Sequence, residues 1–443
     1  MSPNIERYLK QYGAARASLP GHRLPWLAEL REEALARFRD IGFPTTRDEA
    51  WKHTRVTSIE NRELHAAHNG ASQIESAWLA SRTFQALSPH VLVFVNGRFA
   101  VELSRVGSLP AGVKVGNLAQ LLETDPDLLQ PHLGKHADSG QHGFAALNGA
   151  LMTDGACLLV PKGTVIEQPL QVLFVSGTED NTASHVRNLY VVEDGGQATI
   201  IESYLGWGDT AYLTNAVTEK VLGRNATLNY YKVQQESLKA FHIADLHVHL
   251  ARDSHLEAHS FSLGSMLARH GVNALLAEEG VSCSLNGLYL ADGRRHVDTY
   301  LFVDHAKPRG TSRETFKGVV GGRARGVFNG KVLVRQDAQQ TDAHMGNKNL
   351  LLTRDAEVDT RPQLEIYADD VKCTHGATVG QIDEAALFYL RSRAIDEQTA
   401  RGFLIFGFAH DIIDRISDAR VRDVLAGNIF DYLPNHEQLR GLL

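Results

Sequence analysis

The stretch EDGGQATIIESYLGWGDTAYLTNAVTEKVLGRNATLNYYKVQQESLKAFHIADLHVHLARDSHLEAHSFSL, Glu193 to Leu263, sets the character of the chain. Its β-branched and aromatic residues come in short runs, QATIIESYL, NATLNYYKV and SHLEAHSFSL, with few amphipathic helical windows between them. Turn signals recur with a loose period. Gly195 to Arg224 is 29 residues, Arg224 to Asp253 is 29, and Asp253 to Glu279, ahead of GVSCSLNGLYL, is 26. Periods in the twenties suggest a solenoid, in which each coil buries its inner face only against its neighbours. A sandwich or a propeller has the same short strands and stays open as an alternative.

The same texture runs from about Cys157 to Ile382, with later turns at Gly321-Gly322, Arg354-Asp355 and Asp369-Asp370. Stacked coils leave open edges at both ends, so helical caps are expected. Upstream, PWLAELREEALARFRDIGF places Leu27, Leu30, Ala34, Leu35 and Phe38 near helical spacing, with Pro25 as start and Gly42 and Pro44 as stop. In VLVFVNGRFAVEL, Asn96-Gly97 between two apolar runs predicts a hairpin near 91–103. A helical piece follows around Leu118 to Leu129. Downstream, Asp383 and Asp396 are N-cap candidates for two short helices forming a helical hairpin. The expectation is a mainly β protein with an N-terminal, mainly helical domain (1–140), a parallel β-solenoid core (141–382) and a C-terminal helical domain (383–443).

A chain of 443 residues, 43% hydrophobic and 22% charged, is globular in composition. Its longest apolar runs, such as FLIFGF at Phe403 to Phe408, are far shorter than the roughly 18 residues of a membrane helix. The start, MSPNIERYLKQYGAARASLP, lacks a secretory h-region, so a cytoplasmic, membrane-free location is expected. A net charge of -7 argues against nucleic acid as main ligand. Cys157, Cys283 and Cys373 are odd in number and widely spaced, which suits reduced thiols and supplies no CxxC knuckle.

Several enzyme motifs are missing. No GxxxxGK[ST] cradles a nucleotide, so any ATP is hydrolysed by a partner. GVVGGRARGVFNG, Gly318 to Gly330, lacks dinucleotide spacing and reads as a tight corner. Neither GxSxG nor HExxH occurs. Six histidines, His242, His247, His249, His255, His259 and His270, cluster in the β section. The pair His247 and His249, with Asp304 and His305 later, resembles in outline the first ligands of metal-dependent amidohydrolases. A metal-dependent hydrolase or a carbohydrate-active β-helix enzyme is therefore the competing function, although the helices of an eight-fold barrel are absent and polar solenoid faces explain the histidines as well. Near the end of the β section, Cys373 and His375 flank one threonine. On a strand both face one way, and together they are two ligands suited to iron or zinc, short of a complete site.

The context of that pair carries a resemblance. LEIYADDVKCTHGATVGQIDEAALFYLRSRAI, Leu364 to Ile395, resembles the C-terminal signature of the SufD branch of the SufB/SufD family, iron-sulfur cluster assembly proteins of the SUF system. HGFAALNGALMTDGACLLVPKGTVIEQPL, His142 to Leu170, and GFPTTRDEAWKHT, Gly42 to Thr54, resemble the family as a whole. Where SufB carries Glu-His-Glu, this chain reads Cys373-Thr374-His375-Gly376, which favours the SufD branch. The resemblance implies a right-handed parallel β-helix between helical domains, in a non-ATPase scaffold subunit of a SufBCD complex. It implies pairing with SufB through the β-helix and binding of the ATPase SufC through the C-terminal helices; an exposed terminal coil can also pair with its twin, so a homodimer is expected when the chain is isolated. His375, with Cys373 as second candidate, would face SufB at a shared cluster site; the iron-sulfur cluster is transient, with none stably held by this chain alone. Three thiols cannot supply four thiolates, so sharing is required. For SufC, Arg391, Arg393 and Arg401 with Phe403, Phe406 and Phe408 suit an interface of apolar anchors rimmed by arginine; packing of the same phenylalanines within the helical hairpin remains the other reading.

Overall fold

The computed structural model describes residues 3–439 apart from 69, 85, 86, 138 and 139, so the extreme ends of the two expected helical domains, 1–2 and 440–443, lie outside the described residues. From Ala156 onward the chain alternates between two parallel sheets. The first sheet takes Ala156–Val160, Thr182–Val192, Tyr212–Leu222, Phe241–Leu250, Leu267–Leu276, His296–His305, Arg325–Val334 and Glu357–Ile366. The second takes Leu170–Ser176, Gln197–Gly206, Thr227–Gln235, His255–Ser262, Ser282–Ala291, Thr311–Val320, Thr341–Leu351 and Val371–Gln381. This is a β-solenoid of about eight coils, which removes the sandwich and propeller alternatives. Register shows why the sequence period is loose. Thr182 lies beside Tyr212, Leu213 beside Phe241, Phe241 beside Leu267 and Arg325 beside Glu357, so successive coils stretch from 26 to 32 residues.

One corner of each coil but the last is fixed by a residue with positive φ. Gly163, Gly195, Asn225, Asp253, Gly280, Arg309 and Gln340 stack in a column with φ between 54 and 71°. Each donates its N–H to a carbonyl one coil further on: Gly195 to Arg224 O at 2.7 Å, Asn225 to Arg252 O at 2.9 Å, Asp253 to Glu279 O at 3.0 Å and Gln340 to Asp370 O at 2.6 Å. Glycine, asparagine and aspartate tolerate this conformation. They are the turn signals of the sequence. Gly321 and Gly322 form another corner, as read, with Gly322 at φ 58°.

Side chains directed between the sheets make the main core, where Phe94, Phe174 and Tyr204 stack with centroids 4.9 Å apart. The lumen also holds charge. Glu202 accepts from Tyr190 Oη at 2.8 Å and Tyr204 Oη at 2.7 Å, Lys220 lies over the Tyr230 ring, and Lys232 Nζ meets His270 Nδ1 at 3.2 Å. Burial lowers the pKa of both lysines, that of Lys232 to about 8. Buried charge survives only with such partners.

The N-terminal region covers the outer face of the first sheet. The helix Pro25–Ile41 stops where Gly42, at φ 64°, returns its N–H to Phe38 O at 2.9 Å. It buries Leu27, Ala34 and Phe38, and its buried Arg31 donates to the carbonyls of Pro20, Ala150 and Met152. In the fully buried helix Gly143–Leu151, Asn148 Nδ2 donates to Val186 O at 2.8 Å and Asn215 O at 3.0 Å, tying helix to sheet. Thr54 Oγ1 donates to Asp298 at 2.5 Å, and the Arg269 guanidinium, paired with Asp298, lies 3.9 Å from the Trp51 ring centroid. Two of the sequence blocks that carry the family resemblance are thus staples between helical region and solenoid. The Asn96-Gly97 hairpin forms, both residues at positive φ, and its first strand Val91–Val95 joins the second sheet beside Gln171 to Val175.

The C-terminal helices Glu384–Arg391, Glu397–Ile413 and Ala419–Phe430 begin at Asp383, Asp396 and Asp418, whose carboxylates accept first-turn N–H groups. Sequence reasoning expects them to cap the solenoid end. Instead they lie along the outer face of the second sheet, where Ile405, Ile412, Leu425 and Ile429 pack on Tyr231, Phe261, Leu288 and Val319. The outer face of these middle strands is apolar and needs a cover more than the terminal coil does. Among the described residues no helix is long and apolar enough to cross a membrane.

Candidate functional site

The strand Val371–Gln381 is the last of the second sheet and pairs on one side only, with Thr341–Leu351. The strand Glu357–Ile366 likewise ends the first sheet. Nearly all of the final strand is exposed, so the solenoid stops at an open coil. Cys373 stands beside Ala343 and His375 beside Met345, two core residues. Alternation therefore directs both side chains into the mouth of the lumen, about 7 Å apart along the strand. Lys372 and Thr374 take the outer face, where Thr374 Oγ1 meets His344 Nδ1 at 2.6 Å. Cys373 is half-buried against the core, and His375 is exposed. Burial pushes the Cys373 thiol up, the Ala343 N–H offsets part of this, and Asp342 and Glu314 push it further. At neutral pH it is a thiol, ready to ionise when a metal or a cationic partner arrives.

Sequence reasoning missed Glu314. It lies one coil inside Met345 in the column that ends at His375, is 0% exposed, and has neither carboxyl oxygen hydrogen-bonded. Burial raises its pKa to about 8, against the smaller pull of Ser312 and Arg313. The carboxyl is held neutral. Ser312 Oγ meets His305 Nε2 at 2.9 Å beside it, and burial drops His305 to about 4. The strand alternation in TSRETFKG was the available signal, but it does not say which face is inside.

The six histidines do not assemble. His242 points into the lumen with Nδ1 2.7 Å from Glu236, and His270 meets Lys232. His247 and His249 face outward under the N-terminal region; His247 is buried among Asp245, Arg187 and Glu219, and His249 lies 5.1 Å from the His136 ring. Expected on polar solenoid faces, His242, His247, His259 and His270 are in fact buried, because helices cover the outer faces as well as the lumen being closed. No group of three or more His, Cys, Asp or Glu able to hold a metal converges among the described residues. Asp304 is paired with Arg335 at 2.6 Å and Glu219 with Arg187 at 2.6 Å. Cys157 and Cys283 are buried thiols.

In the C-terminal region Phe406 packs inside the helices, stacked on His410 at 4.8 Å and edge-on to Phe430 at 5.9 Å, and Phe408 packs on the second sheet, 4.6 Å from Lys317 Nζ. Arg391 pairs with Glu397 at 3.3 Å, Arg393 lies 3.5 Å over the Tyr389 ring, and Arg401 and Phe403 are half-buried on the first turns of their helix. The outward aromatic residues are others: Phe388 is 74% and Tyr389 55% exposed.

The solenoid is thus clad in helices along its sides and open at one end, with a Cys and a His at the opening. The chain belongs to the SufBD family: the family model described as SUF system FeS cluster assembly, SufBD core domain, matches residues 174–408, and that of the SufBD protein N-terminal region matches 2–172. It is 33% identical to the iron-sulfur cluster assembly protein SufD of Escherichia coli, over 91% of this chain and 92% of that one. It is 34% identical to an iron-sulfur cluster assembly SufBD family protein of Synechocystis over 88% and 87%. Bacillus subtilis SufD is 25% identical over 96% and 97%.

Proposed function

We propose that the chain is a scaffold subunit of the SUF machinery that docks through its open terminal coil onto a SufB-type partner and contributes His375 and Cys373 to a cluster assembled at the seam. The observation that carries this reading is the uncovered end of the solenoid, a row of unpaired backbone groups on Glu357–Ile366 and Val371–Gln381 with the two metal-competent side chains at its lumen mouth. An edge of this kind recruits another strand. The cluster is cargo, held between chains, since one thiol and one imidazole leave at least two positions to the partner. The C-terminal helices engage a SufC-type ATPase through the exposed aromatic and arginine surface around Phe388, Tyr389, Arg391 and Arg393, extending to Arg401 and Phe403. Phe406 supports that surface from inside.

The test is co-expression with SufB- and SufC-type partners. His375→Ala is expected to leave the complex intact on a sizing column and to lower the cluster absorbance of the purified complex severalfold, with Cys373→Ala weaker in effect. Unchanged cluster content in both variants removes the pair from the assembly site.

A further inference from the structure

The outer face of the second sheet changes character between the C-terminal helices and the open edge. Phe316, Met345 and Cys373 pack on the core, so their neighbours along each strand face outward. Register then sets rows across the strands: Arg313 lies beside His344, Thr315 beside Gly346 and Gly346 beside Gly376, and Lys317 beside Lys348. The middle row is a bare floor. A side chain on Gly346 would meet nothing nearer than 3.9 Å, and one on Gly376 nothing within 4 Å. The rows on either side wall a trough of about 170 Å³. Asp411 and Arg415, at and just beyond the end of the helix Glu397–Ile413, line its inner part, and its floor runs out to the unpaired edge of Val371–Gln381.

The carboxylates beside these cations are already engaged. Asp342 takes Arg313 at 2.6 Å and stands beside Lys372. Asp411 takes Lys317 at 2.9 Å and has Arg415 at 3.9 Å. Lys348 is exposed, sits directly beside Lys317 on the same face, and makes no hydrogen bond or ion pair among the described residues. Like charges side by side on one sheet face repel. In a chain of net charge -7, this stretch of sheet keeps a surplus of cations around a floor without side chains. We propose that the trough receives an acidic segment of the protein that docks on the terminal coil, its carboxylates meeting Lys348 and Arg415 over the glycine floor. The inference rests on that docking reading and adds the charge the partner must carry. At about 170 Å³ the trough is smaller than sites for nucleotide-sized molecules, and it opens where a partner's backbone arrives, so it fits an acidic loop of that partner. Charge placed beside an interface in this way acts on partner choice and on the rate of encounter.

The dissociation constant of the complex co-expressed with a SufB-type partner, read by dilution at roughly 50 and 300 mM salt, tests the trough. Lys348→Glu is expected to raise it about tenfold at the lower salt and to flatten its salt dependence, Lys348→Ala to raise it severalfold, and Lys348→Arg to leave it unchanged. Lys162→Glu, the same charge change on an exposed corner of the first coil, should have no effect. Each variant is checked for an unchanged melting curve. If Lys348→Glu leaves the constant and its salt dependence as in the wild type while Val379→Arg on the pairing strand disrupts the complex, the trough is no contact and the docking reading stands. A complex that survives Val379→Arg sinks that reading and the proposal with it. Two further results overturn the proposal by naming another occupant. Weakening of the isolated chain's self-association by Lys348→Glu, with the SufB-type complex unchanged, gives the trough to a second copy. Saturable binding of inorganic phosphate to the isolated chain, lost in Lys348→Glu with the complex again unchanged, gives it to a small oxyanion.

Discussion

At the scale of single residues, Glu314 makes the sharpest prediction. Its pKa is raised from an ordinary 4.5 to about 8, so the folded chain binds a proton there that the unfolded chain releases. The stabilisation from this group is fully present below pH 4.5 and is lost as the pH climbs through 8, at about 1.4 kcal/mol per pH unit in between. Lys232 acts in the opposite sense, its pKa being lowered to about 8, so the whole chain's pH profile mixes the two. The difference between wild type and Glu314→Gln isolates the carboxyl. The variant should gain on the wild type steadily in urea denaturation from pH 5 to about pH 8 and level off above that. A flat difference across that range would show that Glu314 does not titrate there. The same residue marks the limit of sequence reading at the candidate site. Cys373 and His375 were legible because both the strand alternation and the resemblance pointed to them. Glu314, His305 and Ser312 were not: His305 meets Ser312 only across a folded corner, and Glu314 joins the column ending at His375 only when three coils are stacked.

At the scale of elements, the corner column explains which turns announced themselves. Gly195 and Asp253 were readable as turns from residue type, and Asn225 beside Arg224 likewise; Arg309 and Gln340 occupy the same left-handed corner with residues that give no such signal. This is why the sequence period fades after Glu279. Gln340 is exposed and contributes only its backbone N–H to the ladder, at 2.6 Å from Asp370 O. Gln340→Gly removes the left-handed penalty of about 1–2 kcal/mol and gives back part of it through the greater freedom of the unfolded chain, so a net gain of about 0.5–1 kcal/mol is expected. Gln340→Val, β-branched at the same φ of 61°, should lose more than 1 kcal/mol. Denaturation midpoints of the two variants should bracket the wild type, and equal midpoints would mean the corner is not held in this conformation. Inside strands the limit was different. A solenoid wall covered by helices is buried on both faces, so period-2 alternation identifies the strand without telling lumen from outside. The buried histidines and the Glu202, Lys220 and Lys232 lumen charges escaped for that reason.

At the scale of the molecule, the two coverings settle which test of the ends is informative. Truncation after Ile382 would strip the C-terminal helices from Tyr231, Phe261, Leu288 and Val319, exposing an apolar sheet face, so loss of partner binding in that variant would report aggregation as readily as a missing interface. Phe388→Asp with Arg393→Glu changes only exposed positions and is the better probe of the helical surface. The terminal coil has no such cover. An uncovered edge is expected to pair with its own copy when the partner is absent, as an isologous dimer. Val379 is 45% exposed on that strand, and Val379→Arg places a charge where the second chain would pack. Light scattering on a sizing column should find the isolated wild type as a dimer and Val379→Arg as a monomer of about 49 kDa with an unchanged melting curve. The same substitution should prevent co-purification with a SufB-type partner while leaving association with a SufC-type ATPase intact, because the helical surface lies along the side of the solenoid and not at its end. A variant that stays dimeric and still retains the partner would move the interface off the terminal coil, and with it the reason for placing His375 at a seam.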